Sequence, residues 1–195
     1  MTPDVALIVF LRYPQKGKVK TRLAASLGQG KALEVYLALI AHTLETARAS
    51  GFRVYLYYEG GLPDHKDKLP YFSYHNQSEG SLGDRITHAI DHTLKNHQKA
   101  IIIGSDCPGL AADHIREAAS ALNNCDIVLG PALDGGYYLI GCKNLNHEIF
   151  RDIRWSTSQV LQQTIEAIKK NNLTFHLLET LRDIDTLEDL RESKF

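Results

Sequence analysis

Three cysteines among 195 residues, none in a CxxC pair, are odd in number and wrongly spaced for a disulfide framework or a cysteine zinc site. A reducing, cytoplasmic setting is therefore the expectation. Charge of one sign is also missing: 22 Lys and Arg stand against 23 Asp and Glu, with no block of either. A nucleic-acid or membrane-surface role gets no electrostatic support, so neither is expected as a partner. No apolar run is long enough to span a bilayer. The one at Val5 to Leu11 is short, follows Asp4, and has no basic leader or cleavage site. The chain lacks internal repeats, low-complexity segments and Pro/Ser-rich linkers, so residues 1–195 are expected to form a single domain. No serine sits in a GxSxG elbow, which argues against a hydrolase triad. His88 and His92 have zinc-compatible spacing but lack the glutamate of HExxH and a third ligand.

What remains alternates between strand and helix patterns. Val5 to Phe10 (VALIVF) is continuously apolar, as in a strand buried on both faces of a parallel sheet. Tyr13 to Gly28 is basic and loop-like, and Ala32, Leu33, Tyr36, Leu37, Ile40 and Leu44 then recur at helical spacing. Phe52 to Tyr58 is a strand pattern, Ile86 to Leu94 helical, Ala100 to Ile103 a buried strand and Ile115 to Leu122 helical again. Asp126 to Leu129 and Tyr137 to Ile140 are strand-like on either side of Gly130 to Gly136. Ser156 and Gln159 resemble a capping box that opens a helix to about Lys170. Thr174 to Leu177 fits a last strand, and a short helix begins near Thr186. The expected architecture is an α/β/α sandwich with a mostly parallel sheet.

Ligands of such sheets collect outside the carboxyl ends of the strands, so the loops after Phe10, Ile103 and Leu129 should share one crevice. The first holds Gly17-Lys18-Val19-Lys20-Thr21-Arg22-Leu23, one glycine with three cations and a hydroxyl, which suits phosphate. It lacks the GxxxxGK spacing of a Walker loop, and a solvated basic loop explains the composition equally well. In the second, Gly104-Ser105-Asp106-Cys107-Pro108, a carboxylate follows a buried strand end. Hard cations such as Mg²⁺ or Mn²⁺ use one or two such carboxylates and complete their shell with substrate phosphates. The plainer alternative is a helix cap. The third places Asp134 before Gly135-Gly136, where close backbone approach to a ligand competes with an ordinary Asp-Gly hairpin turn. Gln77 to Arg85 offers an amide, glycines and an arginine that could read a base edge, or simply a loop and N-cap.

Taken in order, the segments Gly17 to Leu23, Gln77 to Arg85, Gly104 to Pro108, Gly130 to Gly141, Trp155 to Thr157 and Asp183 to Leu190 resemble one family. It is that of small glycosyltransferase-A-type proteins long described as a domain of unknown function, also called radical-SAM/selenodomain-associated or arsenosugar-biosynthesis transferases. KTRL at Lys20 to Leu23 also looks like the loop of the related 2-phospholactate guanylyltransferases. One departure is Lys16, where the family usually has proline.

The resemblance implies a Rossmann-like nucleotide-diphosphosugar transferase (GT-A) fold. It implies nucleotide binding by Arg12, Gly17, Lys20, Thr21, Arg22, Gln77, Gly80, Leu82, Gly83 and Arg85. Donor or acceptor contacts would come from Asp134, Gly135, Gly136, Tyr137 and Trp155, and Mg²⁺ or Mn²⁺ would sit on Asp106 with Asp134 as candidate second ligand. Asp106, Lys20 and Arg22 would carry catalysis. The leading expectation is glycosyl transfer from a nucleotide sugar to a small-molecule acceptor, with the metal and cations neutralising the departing nucleoside diphosphate. The alternatives are nucleotidyl transfer from a nucleoside triphosphate to a phosphorylated small molecule, and a nucleotide-binding module without turnover.

Overall fold

A computed structural model describes residues 4–64, 67–193 and 195. The apolar run at the N-terminus forms β1 (Val5–Arg12), buried on both faces through Val9. It pairs in parallel with β2 (Arg53–Glu59) on one side and β4 (Lys99–Ile103) on the other. Strand β3 (Phe72–Asn76) joins the outer side of β2, again parallel. Beyond β4 lie β6 (Tyr137–Cys142), antiparallel to both neighbours, then β5 (Ile127–Pro131) and the short β7 (Phe175–Leu177). The seven-stranded order is β3-β2-β1-β4-β6-β5-β7.

Because alternate strand residues point to opposite faces, each face carries its own apolar core. Leu7, Val9, Ile101 and Ile103 meet Tyr36 and Ile40 of α2 (Gln29–Ala49) and Ile115 and Ala118 of α4 (Ala112–Ala121). Ile8, Ala100 and Ile102 meet Ile86, Ala89 and Ile90 of α3 (Leu82–Leu94) and Ile168 of α5 (Val160–Lys170). The result is the expected α/β/α arrangement. Among the described residues, no helix is long and apolar enough to cross a membrane.

Local structure departs from the sequence reading in four places. The basic segment does not stay a loop to Gly28: α1 (Thr21–Leu27) forms as soon as the Ala- and Leu-rich stretch begins, with Lys20 left-handed in front of it. Helix α3 starts at Leu82, earlier than its apolar period suggests, because Ser81 and Asp84 form a reciprocal capping box. The capping box at Ser156 and Gln159 does not form. Helix α5 starts at Val160 without a side-chain cap, and Ser156 sits at φ 62. Strand β3 was not expected, since Phe72-Ser-Tyr-His-Asn is polar and lies at the sheet edge. A C-terminal helix, α6 (Leu187–Ser193), follows Thr186 as expected.

Candidate active site

The parallel strands β1 to β4 all end on one side of the sheet, where the segments leaving them meet in a cleft of about 950 Å³. One end of the cleft is built on Lys20. Its side chain is almost wholly buried, and its ammonium lies 2.9 Å from Asp106 Oδ1 and donates to the carbonyl of Ile184. A lysine at φ 48, ψ 48 is unusual for a residue with a Cβ, costing about 1 kcal/mol, so the surrounding loop holds it there.

The Asp106 carbonyl accepts from the Ile184 N–H at 2.8 Å, which clamps the segment 181–185 beside the end of β4 and brings in Asp183. Oδ1 of Asp183 is buried without a hydrogen-bond partner. Burial, then the charges of Asp106 and Asp134, push its carboxyl up to about 7 despite Lys20 and the Cys107 thiol. Asp183 thus feels two further carboxylates, one of which is paired with the Lys20 ammonium. Arg22 reaches Asp185 at 2.9 Å, but both side chains are well exposed, so this pair contributes little, roughly 0–1 kcal/mol, and leaves the guanidinium available.

Tyr36 connects this end to the rest of the cleft. Its hydroxyl accepts from the Arg12 N–H at 2.8 Å and donates to the Arg12 carbonyl. Burial first, together with Asp106, raises the phenol against the pull of Ser105 and Arg12. At the other end, Glu59 receives two guanidiniums, Arg12 at 2.7 Å and Arg85 at 2.7 Å. Partial burial opposes its ionisation, but Arg85 and Arg12 prevail and hold the carboxyl below its usual range.

Gln77 has less freedom than its position in the sequence suggests. Its amide nitrogen donates to the carbonyls of Leu11 and Tyr57, so it ties strand ends together instead of presenting donors to a base edge. Trp155 forms part of the wall. Its ring packs against Gly83, where an added Cβ would stand 3.0 Å from the indole, and edge-on to Tyr137.

Of the residues singled out in the sequence, Arg12, Lys20, Thr21, Arg22, Gln77, Gly80, Leu82, Arg85, Asp106, Asp134, Gly136, Tyr137 and Trp155 line this cleft. Gly17, Gly83 and Gly135 do not. Gly17 packs near Gln29, Gly83 supports Trp155, and Gly135 lies at φ 89 against the backbone of Ser158. The Asp134 loop is in fact a hairpin turn. Gly136 N–H donates to Asp134 Oδ1 at 2.8 Å, while the Asp134 side chain still faces the cleft. Asp106 does not cap a helix, because α4 begins only at Ala112.

The sequence reading missed Tyr36, Glu59, Asp183 and Asp185 as lining residues. The only signal for the last two was their place in a segment resembling the family. His88 and His92 gather no third ligand, and no group of three or more His, Cys, Asp or Glu could by itself hold a metal among the described residues. The acidic end therefore fits a hard cation only in the manner of Mg²⁺ or Mn²⁺, with one or two carboxylates and the rest of the shell from elsewhere.

A family described as an uncharacterized protein conserved in bacteria (DUF2064) matches residues 42–157. The chain belongs to this family. A solved protein from Desulfovibrio desulfuricans, provisionally assigned as a nucleotide-diphospho-sugar transferase, is 30% identical. It superposes with a TM-score of 0.90 over 96% of this chain and 85% of that one. A 2-phospho-L-lactate guanylyltransferase of Methanocaldococcus vulcanius is 28% identical over 119 residues, 60% of this chain but only 52% of that enzyme. The chain thus matches about half the length of its curated relative. A Mycobacterium tuberculosis protein solved with manganese shares the fold at 14% identity, with a TM-score of 0.58 over 99% of this chain and 98% of that one. The fold is that of nucleotide-diphospho-sugar transferases and nucleotidyltransferases, and the relatives by sequence are transferases.

Proposed function

We propose that this protein is a transferase that takes a nucleotide-activated donor and depends on Mg²⁺ or Mn²⁺. The observation that carries the proposal is the buried carboxyl of Asp183, whose Oδ1 has no hydrogen-bond partner and which feels the charges of Asp106 and Asp134 beside Lys20. A buried carboxyl oxygen left without a partner among other carboxylates is costly in a protein that never binds a cation there. Asp106 and Asp183 would hold the ion, with Asp134 as a further candidate, and the ion would neutralise phosphate charge as the donor is cleaved. Lys20 and Arg22 would contact the phosphates, Lys20 as a point charge and Arg22 with its planar fork. Arg12 and Arg85, pre-set by Glu59, together with the backbone at Gly80 and Leu82, would flank the rest of the nucleotide. Tyr137 and Trp155 would bound the space for the transferred group or the acceptor.

Glycosyl transfer from a nucleotide sugar to a small-molecule acceptor is the first reading, supported by the relative that matches along nearly the whole chain. The arsenosugar-biosynthesis branch is one home for such an acceptor. Nucleotidyl transfer from a nucleoside triphosphate is the second, favoured by the guanylyltransferase similarity. In both, a nucleotide moiety leaves or moves within a cationic cradle, and product analysis separates them. Nucleoside diphosphate released from a nucleotide sugar with Mn²⁺ supports glycosyl transfer, and pyrophosphate from a triphosphate supports nucleotidyl transfer. Tight nucleotide binding with neither product across a panel of acceptors would contradict both and leave a binding module.

A further inference from the structure

The carboxylate proposed to hold the metal already holds a cation. Lys20 Nζ lies 2.9 Å from Asp106 Oδ1 and also donates to the Ile184 carbonyl, and its side chain is only 4% exposed. A hard cation on that carboxylate would share its electron pairs with an ammonium a few ångströms away, two positive charges on one anion. Neither can move freely to water. Lys20 is fixed by its left-handed backbone at the head of α1, and a buried ammonium without a counter-charge is unfavourable. A substrate phosphate resolves the conflict by giving Lys20 a new anion and freeing Asp106.

We propose that Lys20 stands in for the metal on Asp106, so that the cation enters the site as its complex with the substrate's phosphates and not alone. The inference rests on the metal reading above. Metal and phosphate then bind with positive coupling, each raising the other's affinity by the same factor.

Free Mn²⁺ measured by electron paramagnetic resonance tests this without turnover. Lys20→Met removes the ammonium, and Lys20→Gln removes the charge while keeping a donor for the Ile184 carbonyl, so one reports if the other folds poorly by circular dichroism. Both variants are expected to bind Mn²⁺ alone at least tenfold more tightly than the parent. Adding Asp106→Asn should abolish that gain. In the parent, inorganic pyrophosphate should raise Mn²⁺ binding at least tenfold beyond the chelation measured without protein, and the increase should shrink in both variants. If the parent binds Mn²⁺ alone as tightly as the variants do, the stand-in role is wrong while the metal site survives. A gain that persists with Asp106→Asn also overturns it. If no form binds Mn²⁺ with or without pyrophosphate, the metal reading itself fails and this inference with it.

Discussion

A methyl group at position 135 would stand 2.2 Å from the backbone oxygen of Ser158, on a residue whose φ is already +89. At position 136 the nearest obstacle is the Asp134 carboxylate, at 3.1 Å. Two adjacent glycines therefore do different work. Gly135→Ala is expected to lower stability by about 1 kcal/mol or more, with the remaining folded protein binding normally. Gly136→Ala should keep the fold and displace Asp134, weakening donor binding. Thermal melts and donor titrations on both check this, and a fully stable Gly135→Ala would contradict the packing. Asp183 gives the opposite case. Asp183→Asn removes a buried charge, so at pH 8 without metal the variant should be more stable than the parent, by about 1–3 kcal/mol, while its Mn²⁺-dependent nucleotide binding falls. Equal metal-dependent binding in the two proteins would remove Asp183 from the site. Lys20, Arg22, Asp106 and Asp134 were legible as cleft residues in the sequence because each lies in the segment that follows a strand pattern. Asp183 was not, because it reaches the cleft through the Ile184–Asp106 backbone bond, a contact between positions 78 residues apart in sequence that no local pattern encodes.

Elements were read most surely where burial is two-sided. Strands β1 and β4 carry unbroken apolar runs, and nothing but a central strand accommodates them. Strand β3 was hidden because an edge strand needs only one buried residue, Phe72, and its other side chains are half-covered or exposed. It is held partly by His75, which stacks on Tyr57 with centroids 4.9 Å apart and lies 5.1 Å from His92. Burial first, and then His92, keep the His75 imidazole below its ordinary value. Because the folded state disfavours the charged ring, the associated stability is present above about pH 6.5 and is lost as pH falls through the depressed folded value. Tyr55 and His97 pack on the same face, so His75→Phe, which keeps the stack, is the informative variant. Its melting temperature should fall less than the parent's between pH 7 and pH 5. An unchanged slope would assign the acid sensitivity elsewhere.

At the scale of the whole molecule, the strand-helix alternation was enough to place three loops in one crevice, because parallel strands end on the same side wherever the intervening helices lie. The position of β6 between β4 and β5 is what sequence order could not foresee. That insertion carries the Asp134 hairpin to the mouth of the cleft and lets its backbone lock onto the 153–161 segment, where Leu161 N–H donates to the Gly135 carbonyl. The same lock fixes Trp155, the single tryptophan of the chain, in the cleft wall. Its fluorescence is therefore expected to change when the cleft is filled. The measurement that tests the account most directly is a titration of that signal with GTP, CTP, UTP, GDP-mannose and UDP-glucose, with Mn²⁺ and with chelator. At least one ligand should give a saturable change that requires Mn²⁺ and is lost in Asp106→Asn. A response that is the same with chelator, or that survives in Asp106→Asn, or no response to any of these ligands with Mn²⁺, would contradict a metal-dependent nucleotide site in this cleft.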